Sequence, residues 1–235
     1  MMRLDKFLVS MEIGSRSQVK DFVKKGLVTV NGQFCKSSDL KINEEIDIIE
    51  YKGQRLQYRK YEYYMLHKPQ GVVTATHDNH DKTVMDLLDS SVRKKDLFPV
   101  GRLDKDTEGL LLITNDGDLA HNLLSPKKHV DKTYLVYLAE TIHDADIRKL
   151  ESGVDIGEDK LTLPAKAIKL TDKAMKLTIC EGKFHQVKRM LKAVDNEVVY
   201  LKRLTFGNLT LDEDLESGKY RPLSEDEIQA LHNQE

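Results

Sequence analysis

Hydrophobic positions at the start of the chain keep a helical rhythm. Leu4, Phe7, Leu8 and Met11 fall at i, i+3, i+4 and i+7, which is one face of a helix. Gly14 breaks it. Ser15 or Ser17 caps a second helix, with Val19, Phe22 and Val23 as its apolar face and Gly26 at its end. Leu27 to Val30, the Asn31-Gly32 turn and Gln33 to Lys36 predict a hairpin. Ile42, Ile46, Ile48 and Ile49 suggest a further strand. Glu50 to Lys60 is polar, basic and short, so it reads as a linker. The pattern therefore divides the chain into a small module over 1–50, a linker over 51–60 and a larger domain over 61–235.

The larger domain alternates between strand and helix signals. Tyr61 to Leu66 begins a strand, Lys68-Pro69-Gln70-Gly71 turns it, and Val72 to Ala75 resumes. Thr83 to Leu88 predicts a short helix. Leu110 to Ile113 is a continuous apolar run ending at Asn115-Asp116-Gly117, so it predicts a buried strand and a turn. Asp118 to Leu124 is a helix that Ser125-Pro126 stops, and Lys132 to Leu138 alternates as a strand. Asp144 to Glu151 is helical. Pro164 to Leu170 and Ala174 to Ile179 form a hairpin about Thr171-Asp172-Lys173. Phe184 to Val194 is a helix entered from Gly182, and Val198 to Leu204 and Leu209 to Leu211 are strands. Ser224 with Glu227 makes a capping box for a last helix. Many strands without regular strand–helix alternation predict an α+β fold on a mainly antiparallel sheet with flanking helices.

Composition narrows the class. The chain has 235 residues, 40% hydrophobic and 32% charged, which suits a soluble protein with a packed core. It has no apolar run long enough for a membrane span, and its first residues lack a signal peptide's apolar core. Cys35 and Cys180 give neither a disulfide framework nor zinc spacing, which fits the reducing cytoplasm. The net charge of −2 hides an uneven distribution. Residues 1–60 hold 12 Lys+Arg against 8 Asp+Glu, and residues 183–203 hold 6 against 2. The tail from Asp212 carries 8 acids and 2 bases. Nucleic acid is thus a compatible partner.

Chemistry concentrates in Gly101 to Gly109, GRLDKDTEG, just before the buried strand. A calcium loop fails there, because Asn115 stands where the bidentate acid belongs. A solvated polar loop and a nucleophilic or acid/base Asp beside Arg102 both remain open on physical grounds. His77 and His80 have metal-like spacing but no third ligand nearby, so they read as a solvent loop, and no metal is expected.

Gly101 to His121, GRLDKDTEGLLLITNDGDLAH, resembles the active-site motif of bacterial pseudouridine synthases of the RsuA type. KTYLV (Lys132 to Val136) and EGKFHQVKRML (Glu181 to Leu191) resemble that family's other motifs, in the same order. The N-terminal MRLDKFL and GSRSQVKDFVKKGLVTVNG resemble the RNA-binding module of ribosomal small-subunit protein four.

The resemblance implies isomerisation of a uridine to pseudouridine in 16S ribosomal RNA, alone or in a partly assembled small subunit. It implies a monomer that needs no cofactor. Asp104 matches the catalytic Asp, and Asp106 and Glu108 shape the loop or face water. Arg102 matches a residue filling the space of the flipped base, with a structural pair to Asp106 as the alternative. Tyr134 matches the tyrosine stacking on that base. Lys188 matches the basic partner of the catalytic Asp, where many relatives have Arg, and Leu191 matches a lining residue of the uracil pocket. Arg3, Lys6, Arg16, Lys20, Lys24, Lys25, Lys183 and Arg189 are implied RNA contacts. The rivals are a 23S enzyme, a non-catalytic rRNA-binding assembly factor, and a glycosidase-like hydrolase using Asp104 and Glu108.

Overall fold

A computed structural model describes residues 1–44, 46–56, 60–93 and 96–233. The chain separates into two compact units, residues 1–60 and 61–235.

In the first unit, helices α1 (Leu4–Ser10) and α2 (Arg16–Lys24) pack their apolar faces together. Leu4, Phe7, Leu8, Val19 and Val23 are buried with Val28, Ile42 and Ile49. Ser15 makes the N-terminal cap: its side chain accepts from Gln18 N, and Gln18 Oε1 accepts from Ser15 N at 2.8 Å. The strand Val28–Val30 turns at Asn31 and Gly32, both at positive φ, onto Gln33–Phe34.

The expected strand through Ile42, Ile46, Ile48 and Ile49 does not form. Lys41–Ile42 pairs with Met2–Arg3, whereas Ile49–Tyr51 pairs with Val28–Val30. Asp47 causes the break, because its carboxylate accepts from Asn43 N and Asn31 Nδ2 and folds the segment into a turn. The proposed linker is also shorter than its composition suggests. Tyr51 belongs to a strand, and Gln54–Arg55 pairs back onto Glu50 and Tyr51 across Lys52-Gly53. Lys52 and Gly53 take the positive φ that a two-residue hairpin needs. Gln54 and Arg55 are exposed, so this hairpin carries no apolar alternation. Residues 57–59 lie outside the described part.

The second unit is built on a mixed sheet. Its main strands are β1 (Tyr63–Lys68), β2 (Glu108–Thr114), β3 (Lys132–Leu138), β4 (Lys166–Thr171), β5 (Ala174–Ile179), β6 (Val198–Phe206) and β7 (Tyr220–Pro222), with the short strands Phe98–Pro99 on β2 and Leu209–Thr210 on β6. Their spatial order is β4-β5-β3-β6-β2-β1-β7. Every neighbouring pair along this path is antiparallel except β6 with β2. The α+β expectation therefore holds. Helices α3 (Gly117–Leu124), α4 (Asp144–Ser152), α5 (Gln186–Lys192) and α6 (Glu225–His232) flank the sheet.

The continuous apolar run has a clear reason in the packing. On β2, Leu110 and Leu112 enter one core with Met65, Leu119 and Phe206, while Leu111 and Ile113 enter another with Leu66 and Val84. Gly109 takes φ 108° where β2 meets β6, and a Cβ there would collide with the Arg203 backbone. Val72 to Ala75 does not resume a strand; only Val73 bridges to Thr83. No helix among the described residues is long and apolar enough to cross a membrane.

Candidate active site

The loop before β2 is held from below. Lys68, at the end of β1, is fully buried. Its ammonium donates to the backbone carbonyls of Pro69 (3.0 Å), Asp104 (3.0 Å) and Thr107 (2.9 Å). Thr74 Oγ1 donates to Leu103 O at 2.7 Å, and Gly71 N donates to Lys105 O at 2.7 Å. Thr107 N closes the turn on Asp104 O at 3.1 Å. These bonds fix the backbone on both sides of Asp104, so its carboxylate projects from a rigid support.

Helix α5 supplies the opposing charge. The chain enters it through His185 at φ 47°, and Gln186 braces the entry. Its Oε1 accepts from Lys183 N, while its Nε2 donates to Glu181 Oε2. Lys188 Nζ lies 3.2 Å from Asp104 Oδ2 and 2.6 Å from Asp106 Oδ1. Burial works against the Lys188 charge, yet hydrogen bonds to Asp106 and Asp104 hold its pKa above the ordinary lysine value. Burial likewise opposes the Asp106 carboxylate, but the Lys188 bond holds its pKa below the usual range. His185 Nε2 stands 3.5 Å from Asp104 Oδ1.

Asp104, Lys188 and Tyr134 all line one cavity of about 890 Å³. Tyr134 is 8% exposed and projects from β3 on the side that Val136 and Leu138 bury. A fixed carboxylate, a cation and an aromatic ring thus face a space large enough for a nucleoside. Residues 62–193 match the RNA pseudouridylate synthase family, and residues 2–46 match the S4 domain.

The chain belongs to the RNA pseudouridylate synthase family.

It is 50% identical to an uncharacterized RNA pseudouridine synthase of Bacillus subtilis, over 98% of each chain. It is 43% identical to ribosomal small subunit pseudouridine synthase A of Escherichia coli, covering 98% of this chain and 100% of that one. A crystal structure of a pseudouridylate synthase matches with a TM-score of 0.70 and 41% identity, covering 98% of this chain and 100% of that chain.

Against this pseudouridylate synthase fold the expected residues sort unevenly. Arg102 lines the cavity, is exposed, and makes no hydrogen bond or ion pair among the described residues. Its alternative partner, Asp106, is already taken by Lys188. Glu108 accepts from Tyr200 Oη at 2.7 Å and is not part of the cavity lining, so it forms no carboxylate pair with Asp104 there. Leu191 is a correction. It is fully buried with Leu150 and Val194, and the wall position belongs to Val187. Leu191 follows Val187 by one turn on the same side of α5, which carries it past the cavity wall and into the core.

Arg189 has protein partners. Its guanidinium donates to Glu158 Oε1 at 2.7 Å, to Phe184 O at 3.1 Å and to Ile156 O, so it ties α5 to the segment after α4. Lys183 lies 3.2 Å from Glu181. In the S4 unit, Lys6, Arg16, Lys20, Lys24 and Lys25 are exposed, and Arg3 is paired with Asp5 at 2.7 Å. His77 and His80 are exposed, and no group of three or more His, Cys, Asp or Glu side chains suited to a metal occurs among the described residues.

The sequence reading missed Lys68, Lys132 and Arg203. Arg203 had a signal: it alternates with Leu201 on β6, so a guanidinium shares the inward face with a buried leucine. Lys68 had none, since a lysine before a proline at a strand end reads as a solvated turn.

Proposed function

We propose that this chain isomerises one uridine to pseudouridine in small-subunit (16S) ribosomal RNA, with Asp104 as nucleophile. The supporting observation is the Asp104 carboxylate, set on a bonded loop, 3.2 Å from Lys188 and sharing its cavity with Tyr134. The small-subunit assignment rests on relatives named ribosomal small subunit pseudouridine synthase A, at 41% to 43% identity over nearly the whole chain.

The chemistry follows from the groups present. The target base must leave its stack to reach a cavity this deep. Arg102, free and exposed at the rim, enters the space left behind. Tyr134 gives the base a flat apolar face. Asp104 attacks C1′ of the ribose: a C–O bond forms, the N1–C1′ bond breaks, and its electron pair leaves on N1. The base turns, C5 bonds to C1′, and the Asp104 oxygen departs with its pair. The C5 proton is lost and N1 gains one, so the product is an isomer and no co-reactant is consumed. Lys188 holds the carboxylate in line throughout. The S4 unit supplies the phosphate contacts through its exposed basic helices. Its substrate places this activity in the cytoplasm.

The test uses 16S and 23S transcripts carrying tritium at uracil C5, free and assembled with ribosomal proteins. Tritium release from 16S RNA or its particle alone is the expected result. Release from 23S RNA alone moves the substrate to the large subunit. Binding without release from any RNA makes the chain a non-catalytic assembly factor and sinks the proposal.

A further inference from the structure

Two cations lie at the base of the Asp104 cavity without a counter-ion. Arg203 is 2% exposed and Lys132 is 9% exposed, and both line the cavity. Arg203 Nε donates to Leu110 O at 2.8 Å, but its buried Nη2 has no partner. Lys132 Nζ donates to Val130 O at 2.6 Å and to nothing else among the described residues. The two are neighbours. Arg203 faces Tyr134 across the β3–β6 register, Lys132 faces Phe206, and both cationic groups lie over the Phe206 ring, at 5.0 Å and 5.5 Å.

The acids nearby are committed elsewhere. Asp131 lies 3.2 Å from Lys166, Glu181 binds Lys183, Gln186 and Leu163 N, and Asp104 faces Lys188. Buried charges are normally paired, and two like charges in a poorly solvated site raise each other's cost. Burial, and then the Arg203 charge, pull the Lys132 pKa down to about 8. Such a pair in a cleft points to an anion that arrives with the substrate.

We propose that Arg203 and Lys132 form an anion subsite for the uracil ring, holding its carbonyl oxygens and stabilising the base once the N1–C1′ bond has broken. This rests on the isomerase reading above. When that bond breaks, its electron pair stays with the ring, and the charge spreads over N1, O2 and O4 while C1′ takes the Asp104 oxygen. The negative charge is therefore created on the base. Cations already in place bind that state more tightly than neutral uridine, which lowers the barrier rather than merely binding substrate. They also retain a ring that is no longer bonded to the RNA while it turns. A phosphodiester is the poorer fit, because groups this buried lie beyond a strand's reach. Tyr134, which shares the register with Arg203, supplies the face against which a planar ring would lie.

The test compares barbiturate, a planar pyrimidine ring that is anionic at neutral pH, with neutral uracil. Each is titrated into the full chain by calorimetry and used to inhibit tritium release. Wild type is expected to bind barbiturate at least about tenfold more tightly than uracil, because charge-assisted hydrogen bonds are roughly twice as strong as neutral ones. In Lys132→Met that preference falls to near unity, and the single-turnover rate on 16S RNA drops by about 100-fold. Arg203→Lys, which keeps charge but loses the fork, is expected to lose part of both effects. Circular dichroism checks that each variant is folded, and the wild-type ratio decides the matter if one is not. No preference in wild type, including no binding of either compound, overturns the subsite, as does a folded Lys132→Met that turns over normally. Wild-type protein that isomerises no RNA fails the function reading instead, and the barbiturate ratio remains readable.

Discussion

Lys188 is closer to Asp106 than to Asp104, at 2.6 Å against 3.2 Å. The expected ion pair is therefore a triad in which one ammonium spans two carboxylates of the same loop. Asp106 is mostly exposed, with 69% of its side-chain surface accessible, so its share of this network is screened and adds little stability. Its effect is geometric. It fixes the lysine end that faces Asp104, and that lysine has no planar fork to orient itself.

Asp106→Asn is expected to cut the single-turnover rate by about 3- to 10-fold while leaving the melting temperature within a degree or two. Lys188→Met, which removes the cation altogether, costs roughly 100-fold. Tritium release under single-turnover conditions measures both. Equal losses for the two variants would mean that Asp106 is more than a positioning residue.

Asp104→Asn is expected to lower turnover by three orders of magnitude or more, as loss of a nucleophile does. RNA affinity is retained, because the phosphate contacts lie elsewhere. Filter binding and tritium release on the same RNA separate the two. Near-wild-type turnover in this variant would remove Asp104 from the reaction.

Lys68 allows a test in which activity and stability diverge. Burial pulls its pKa down to about 8 from an ordinary 10.5, while Asp106, Asp104 and Glu108 oppose the shift. The folded state thus releases this proton at lower pH than the unfolded chain does. Between pH 8 and 10.5 the unfolded state holds more protons, so the group's contribution to stability rises with pH. Lys68→Met lacks this titration. Wild type is therefore expected to gain stability over the variant across that window, measured by urea unfolding at several pH values. The variant's turnover falls by about 10-fold or more even so, because three loop carbonyls lose their donor and Asp104 loses its support. A stability difference that stays flat with pH would mean Lys68 keeps an ordinary pKa.

Patterns that repeat along the chain were legible in the sequence, and single contacts across it were not. The apolar run Leu110 to Ile113, the alternation of Lys132 to Leu138 and the Ser224–Glu227 cap each report a local environment, and all three elements formed. The Ile42 to Ile49 segment failed because Asn31, distant in sequence, takes the Asp47 carboxylate. Motif resemblance brought Asp104, Tyr134 and Lys188 to one cavity. It put Leu191 on the cavity wall, whereas that residue lies one turn past Val187 in the core, because how far a cavity runs along a short helix depends on what packs beside it. Lys68 and Lys132 were invisible because burial of a lysine depends on strands that meet only in the folded sheet.

The S4 unit gives a prediction about salt. Arg16, Lys20 and Lys24 lie on or beside α2, exposed, with no side-chain hydrogen bond or ion pair among the described residues. A cation without a protein partner is free to displace counter-ions from a phosphate backbone. Neutralising one such contact lowers the slope of log affinity against log salt by about 0.7 to 0.9, depending on whether the RNA is single- or double-stranded. The triple variant Arg16→Gln, Lys20→Gln, Lys24→Gln should therefore reduce that slope by about 2 to 3, measured by filter binding between 50 and 200 mM salt. Arg3 is the internal comparison. Its guanidinium is paired with Asp5 at 3.0 Å and 2.7 Å, so Arg3→Gln should change the slope less than any one of the three. Turnover at saturating low salt should stay near wild type, since none of these residues belongs to the Asp104 cavity. A slope that the triple variant leaves unchanged would take α2 out of the RNA interface.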